Sequence, residues 1–400
     1  MGRVEFIALI AMMFATIAFS IDSMLPALPA IGLDLSPETP ENAAFILTSF
    51  VLGMGAGTFI SGPLSDAFGR RRIIFVGTFL YIASAAVAWA SSTLEIMLIA
   101  RLFQGLGASG PRIVAVAIVR DLYSGREMAR IVSIVMLIFT LVPAFAPAMG
   151  AVIIAGVGWR GIFLAFIIFS TISVIWMGLR MPETLDPADR RPIRFSLMTN
   201  AVKEMFTHPA VRLSIFVQSL AMGILFLTLM LIQQIYADDF NRAESFPFWF
   251  GGIALVAGTS SLLNASLVMR FGMRRMVTLT LGGQIIISAM LLVTGFADLA
   301  EPYGFAGFLF WQTCVFFQAG LTLGNLNAIA MEPMGHIAGM AASVIGAFST
   351  VIAALIASGI VLVFVGSIHV LFASVLLMSL IGFALMLLMG RIETQMQAAE

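Results

Sequence analysis

The sequence predicts an all-α membrane protein of twelve transmembrane helices, arranged as two pseudo-symmetric six-helix bundles. Three observations carry this. Of 400 residues, 60% are hydrophobic and 10% charged, whereas a soluble globular chain carries about 25% charged residues. Apolar runs repeatedly exceed the roughly 18–20 residues a helix needs to cross a bilayer. The alternation over about ten residues that marks a membrane barrel is absent, so each span must satisfy its own backbone as a helix. Finally, a charged stretch after the second run returns, altered, after the eighth.

The runs follow in order. The first, Phe6 to about Leu28, contains Asp22 and ends near "ALPA". It exceeds the 7–15 apolar residues of a signal core and reads as a span. The second, 43–64, stops at "GPLSDAFGRRR" (Gly62 to Arg72), and the third, 73–92, begins after those arginines. The fourth, 95–118, carries "RLFQGLG" from Arg101 and stops before Arg120. The fifth, 131–155, begins after Arg130, and the sixth, 161–179, after "GWR" at Gly158 to Arg160. From Met181 to Val211 the chain turns polar, with "DPADRRPIR" and then "SLMTNAVKEMF", a short amphipathic helix for the membrane surface. The seventh and eighth runs, 213–236 and 247–269, lead into "LVMRFGMRR" at Leu267 to Arg275. The ninth (276–297), the tenth (305–330, with "VFFQAGL" from Val315), the eleventh (339–365) and the twelfth (369–390) complete the set.

Two domains follow: a six-helix bundle over 1–180, a linker over 181–211 and a second bundle over 212–400. "LVMRFGMRR" repeats "LSDAFGRRR", and "VFFQAGL" weakly repeats "RLFQGLG". The second copies have Met269 for Asp66 and Val315 for Arg101. This is a parallel duplication in which one half kept the charges. Arg70, Arg71, Arg72, Arg120, Arg126, Arg130, Arg270, Arg274, Arg275 and the cluster from Arg180 to Arg212 fall in one set of alternate loops; Arg160 and Arg242 alone fall in the other. The positive-inside rule then places both termini in the cytoplasm. A net charge of zero suggests no nucleic-acid partner, and the single Cys314 excludes an intramolecular disulfide. His208, His336 and His369 are far apart in sequence, so neither a metal site nor an enzyme is expected.

At these residues the chain resembles the major facilitator superfamily, within it the twelve-span drug:proton antiporters. "GPLSDAFGRRR" is similar to the superfamily's loop signature and "ARLFQGLGASG" to its fourth-span motif. "DSMLPALP" at Asp22 resembles the first-span motif of drug antiporters. "AIVRDLY" and "GWR" resemble the bicyclomycin- and chloramphenicol-resistance (Bcr/CflA) type. Of the fifth-span antiporter motif the chain keeps Pro147 and Gly150. The resemblance implies a cofactor-free, monomeric exporter of the bacterial inner membrane. It would move small amphipathic molecules against protons by alternating access. A transporter of one defined metabolite is the alternative on this fold; a non-transporting scaffold or sensor is a rival of another class.

The charges acquire roles in that setting. Asp66 lies at the negative end of the second span's dipole and needs a positive group. Arg70, Arg71 and Arg72 are one source, a helix N-terminus near Gly339 another. With Gly62 for close approach and Gly69 for the turn, these residues form a latch, or else a loop that only obeys the charge rule. Asp22, Arg101 and Arg112 alone lie well inside spans, where a charge is a functional candidate. Counted from the expected span ends, Asp22 and Arg101 both lie ~9 Å below the outer surface, so an ion pair between them is expected. It would take and release one proton per cycle, or simply tie two helices together. Arg112 either shares the inward face of Arg101 and favours anions, or snorkels towards Arg120. Candidate cavity residues are Phe19, Gln104, Arg112, Gln218, Gln233, Gln318 and Asn325, with Gln284 and Gln312 as further amides.

Overall fold

The computed structural model describes residues 1–399 other than 191, 194, 297–298, 300–301 and 364–366. Arg191 and Arg194 of the linker's cationic cluster, and the final residues expected in the ninth and eleventh spans, thus lie outside the described residues. Every regular element described is helical. The helices of the first unit are α1 (Arg3–Asp22), α2 (Leu28–Leu35), α3 (Phe45–Phe68), α4 (Arg70–Trp89), α5 (Leu94–Leu122), α6 (Gly125–Val157) and α7 (Arg160–Arg180). Those of the second are α8 (Phe195–Thr207), α9 (Pro209–Asp238), α10 (Phe246–Phe271), α11 (Met273–Thr294), α12 (Tyr303–Met331), α13 (Ala338–Val363) and α14 (Ile368–Ala399).

Without the short α2 and α8, twelve helices of 20 residues or more remain among the described residues. Twenty residues rise ~30 Å, one hydrocarbon thickness. Eleven continuous helical stretches are long and apolar enough to cross a membrane, and one of them, Tyr303–Val363, has 61 residues. That is ~90 Å of helix, too long for one crossing. A 3₁₀ turn over Glu332–Ile337, with non-helical angles at Met334, divides it into α12 and α13.

The first span departs from expectation. It does not close near Leu28 but runs as a helical stretch from Arg3 to Leu35. Its α-helix stops at Asp22, and a 3₁₀ turn over Leu25–Ala27 leads into α2. The cause is Pro26 and Pro29, which have no N–H to give the carbonyls of Asp22 and Leu25 four residues earlier. Asp22 therefore sits at a break inside the span rather than two turns from its end.

The chain divides into two compact units, Met1–Arg194 and Phe195–Glu400. In the first, α5 is the hub, packed on α3, α4 and α1. Glycines permit this approach: a Cβ on Gly53 would collide with the Leu102 carbonyl, and one on Gly105 with that of Phe50. Small residues serve membrane helices so, because lipid supplies no hydrophobic drive between them. In the second unit α12 packs on α9, α10 and α11 in the same way. The first span of each unit also packs on its fifth and sixth, and the third on its sixth: α1 on α6 and α7, α4 on α7; α9 on α13 and α14, α11 on α14. The same six pairings in both units are the structural counterpart of the repeated motifs. Each unit has its own apolar cluster, around Phe6, Ile10, Phe14, Val114, Ile118 and Ile131 in the first, and Val217, Leu281, Leu326 and Met386 in the second.

Candidate functional site

The site begins where α1 breaks. A helix leaves its last four carbonyls without intrahelical donors, and Ser20 is among those four in α1. The Arg101 guanidinium, wholly buried, donates to the Ser20 carbonyl at 2.9 Å. It also donates to Gln104 Oε1 at 2.8 Å and more weakly to the Ile46 carbonyl at 3.4 Å. Its carbon lies 4.4 Å from the Phe50 ring centre and 5.9 Å from that of Phe166. Asp22, 6% exposed, makes no ion pair or hydrogen bond among the described residues. The expected Asp22–Arg101 ion pair is therefore not made. The two residues do meet in depth, within two positions along α1, but neutral acceptors hold the guanidinium.

Aromatic rings and hydroxyls surround the Arg101 guanidinium and the Ser20 turn that it bonds. Ser20 Oγ and the Tyr81 hydroxyl share a hydrogen bond of 2.5 Å. Phe19 is buried against Phe166 and Phe169, with ring centres 5.4 and 5.8 Å away. Behind the break stands α6 with Pro147 and Gly150. A Cβ on Gly150 would collide with the Ser23 carbonyl and sit 3.2 Å from its Cα. Gly150 is thus the residue that lets α6 touch the chain immediately after Asp22. Tyr81 carried no sequence signal of its own.

The second cluster surrounds the α3–α4 turn. Gly69 has φ +100° there, a conformation that suits glycine. Arg70 bonds Asp66 one turn earlier, and its Nε donates to Asp121 Oδ2 at 2.9 Å. Its Nη1 donates to Ser65 Oγ at 2.8 Å. The expected cation for Asp66 is thus Arg70. Glu183, missed in the sequence, accepts from the backbone N–H groups of Arg70 at 2.9 Å and Arg71 at 3.1 Å. A carboxylate at the first N–H groups of a helix satisfies orphan donors and meets the positive dipole end. Arg71 donates to the carbonyls of Gly178 and Met181 at the end of α7, at 2.5 and 3.0 Å. Asp121 accepts at 3.2 Å from Thr184. Arg72 is exposed, and Gly62 lies in α3 one turn before Asp66.

At the opposite end of the first unit the "GWR" stretch clasps α2. Trp159 Nε1 and Arg160 Nη1 donate to Asp34 Oδ2 at 3.2 and 2.8 Å, while Arg160 Nη2 donates to the Ser91 carbonyl at 3.1 Å.

In the second unit the structure sorts the amides. Asn325 donates to Asn264 Oδ1 at 2.7 Å and to the Leu321 carbonyl at 2.8 Å. Gln312 Oε1 accepts from the Tyr236 hydroxyl at 2.9 Å, and Gln284 donates to Ser288 Oγ at 3.2 Å. The Oε1 atoms of Gln218 and Gln233, the Nε2 of Gln312 and both polar atoms of Gln318 are buried without a partner among the described residues. An unmet buried amide costs about 1–3 kcal/mol, a cost a polar ligand relieves. Gln104 Nε2 in the first unit is in the same condition. Among the described residues Arg112 donates only to the thioether of Met54, at 4.0 Å.

The family model described as Major Facilitator Superfamily matches residues 8–358. A bicyclomycin resistance protein homolog of Haemophilus influenzae is 26% identical over 346 residues, covering 85% of this chain and 84% of its own. The multidrug resistance protein MdtL of Salmonella typhi is 26% identical over 331 residues, 82% of this chain and 80% of its own. The crystal structure of a D-xylose-proton symporter superposes with a TM-score of 0.71 at 15% identity, covering 96% of this chain and 98% of that one. At that identity the likeness is one of fold.

Proposed function

The chain belongs to the Major Facilitator Superfamily of membrane transporters, and from that premise we propose that it exports small amphipathic molecules in exchange for protons. The observation that carries the coupling is the unpaired Asp22 carboxyl beside an Arg101 guanidinium bonded two residues away. A protonated carboxyl can rest there without a partner. An ionised one needs a cation, and Arg101 is reached by exchanging the Ser20 carbonyl for the Asp22 carboxylate. That exchange binds or releases one proton and pulls on the break in α1. Alternating access would use it to link proton entry to substrate release.

The relatives named for resistance support the drug-exporting direction, and Gly150, kept with Pro147 from the fifth-span antiporter motif, lies against the α1 break. Orphaned amides at Gln104, Gln218, Gln233 and Gln318, with Phe19, suit a cavity for mixed polar and apolar groups. On this reading the Asp66–Arg70–Asp121–Glu183 cluster is the first unit's share of a cytoplasmic latch, with Gly62, Gly69, Arg71 and Arg72 shaping its turn. The protein acts as a monomer in the bacterial inner membrane with both termini inside, and residues 181–211 join its moving halves.

The test is a reconstitution of the full chain in sealed vesicles. A pH gradient of the right sign is expected to drive accumulation of a fluorescent drug, and collapse of the gradient with an ionophore to reverse it. Flux indifferent to the proton gradient would reject coupling.

A further inference from the structure

Arg112 is a cation in a span that the coupling chemistry does not use. Eleven helical steps from Arg101 bring it back to within ~20° of the same face of α5. Ile99 and Phe103, 57% and 48% exposed, lie ~140° and ~180° away around the helix. Arg112 is therefore turned away from the face of α5 that carries Ile99 and Phe103.

The direction of its side chain follows from the register of α3 and α5. Ser61 and Ser109 share a hydrogen bond of 2.8 Å. A Cβ on Gly105 would stand 2.8 Å from the Met54 backbone nitrogen. Met54 is thus level with Gly105, and Ser109 reaches α3 between Gly57 and Ser61. The Arg112 Nη1 nevertheless lies 4.0 Å from Met54 Sδ. Met54 is seven residues back along the pair from Arg112, ~10 Å of helix. The guanidinium points towards Arg101, as helical side chains lean to their N-terminus. Snorkelling to Arg120 requires the opposite direction. Among the described residues no carboxylate bonds Arg112, and Asp66 and Asp121 both bond Arg70. A guanidinium has five N–H donors, and here a weak sulfur acceptor takes one of them.

We propose that Arg112 is a recognition site for an oxyanion (carboxylate, sulfonate or phosphate) carried by an amphipathic substrate, so that the transporter prefers anions to cations. This rests on the reading of the chain as a transporter. The Met54 thioether fills the place until the oxyanion displaces it.

The experiment uses the full chain in vesicles of zwitterionic lipid, with taurocholate as the amphipathic sulfonate and tetraphenylphosphonium as the apolar cation. Arg112→Gln is expected to lower the taurocholate-to-tetraphenylphosphonium flux ratio by ~10-fold or more, the scale of a charge-assisted hydrogen bond. Arg112→Lys should recover part of it, and Met54→Leu should leave the ratio as it is. An unchanged ratio in Arg112→Gln, or equal losses for both probes, overturns the proposal. So does a wild type that moves the cation and not taurocholate, although the transporter reading then stands. An effect of Arg112→Gln seen only with anionic lipid present assigns the guanidinium to a headgroup phosphate and overturns the substrate role. If neither probe moves with protons, the transporter reading falls. Equilibrium binding of taurocholate to purified wild type and Arg112→Gln then decides the proposal alone.

Discussion

Asp22 and Arg101 divide between them the two requirements of a buried charge. Arg101 is satisfied by the Ser20 and Ile46 carbonyls, Gln104 Oε1 and the Phe50 ring, and can stay charged in any step. Asp22 has no such support and must change partner or protonation when its surroundings change. Asp22→Asn keeps size and polarity while removing the proton. It is expected to fold, exchange substrate across vesicles and run downhill flux, yet lose at least ~10-fold of uphill transport, since one pH unit stores about 1.4 kcal/mol. Counterflow and gradient-driven uptake measured on one preparation separate the two activities. Uphill transport by the Asn variant at the wild-type level moves the proton to another group.

The break in α1 depends on α6 as much as on its own prolines. Gly150 touches the Ser23 backbone, so a side chain there must push the segment after Asp22 aside. Gly150→Val is expected to cost about 1–3 kcal/mol, the range for overpacking, and to slow transport. Gly156→Val in the same helix, with nothing within 4 Å of its Cβ, is the control. Thermal unfolding in detergent compares them, and equal losses would deny Gly150 a special contact. The twelve spans were legible because a bilayer demands about twenty apolar residues from each. The α1 break was written in Pro26 and Pro29 but hidden by an end placed at Leu28. The false end hid the break at Asp22, where the Ser20 carbonyl and Gln104 take the Arg101 guanidinium in place of the expected carboxylate. Asp66 and Arg70 were legible because charge is scarce there, whereas Glu183 sat in a polar linker where a carboxylate stands out from nothing. The Arg112 direction needed the α3–α5 register, which no single helix contains.

The two units share their pairings but not their chemistry. Where the first holds Arg101, the second has a buried Val315, and where the first holds Asp66 the second has an exposed Met269. The second unit instead carries the unpartnered amides of Gln218, Gln233 and Gln318. With Asp22 as the one acid well inside a span, one proton per cycle is expected, and the energetics then depend on substrate charge. A proton gains about 2.3 kcal/mol per 100 mV and about 1.4 kcal/mol per pH unit. At 100 mV and one pH unit, a neutral substrate exported against one proton can reach on the order of a 500-fold gradient. A monovalent cation makes the exchange electroneutral, leaving the pH term and roughly a 10-fold limit. A monovalent anion moves a second charge in the favourable sense and raises the limit to the order of 10⁴-fold. The oxyanion site proposed at Arg112 would therefore give a single proton its largest effect. Clamping the potential with potassium and valinomycin at fixed pH difference should abolish most anion accumulation and leave cation accumulation nearly unchanged. Cation accumulation that falls when the potential is clamped would mean that more than one proton enters per cycle, and that a second acceptor exists besides Asp22.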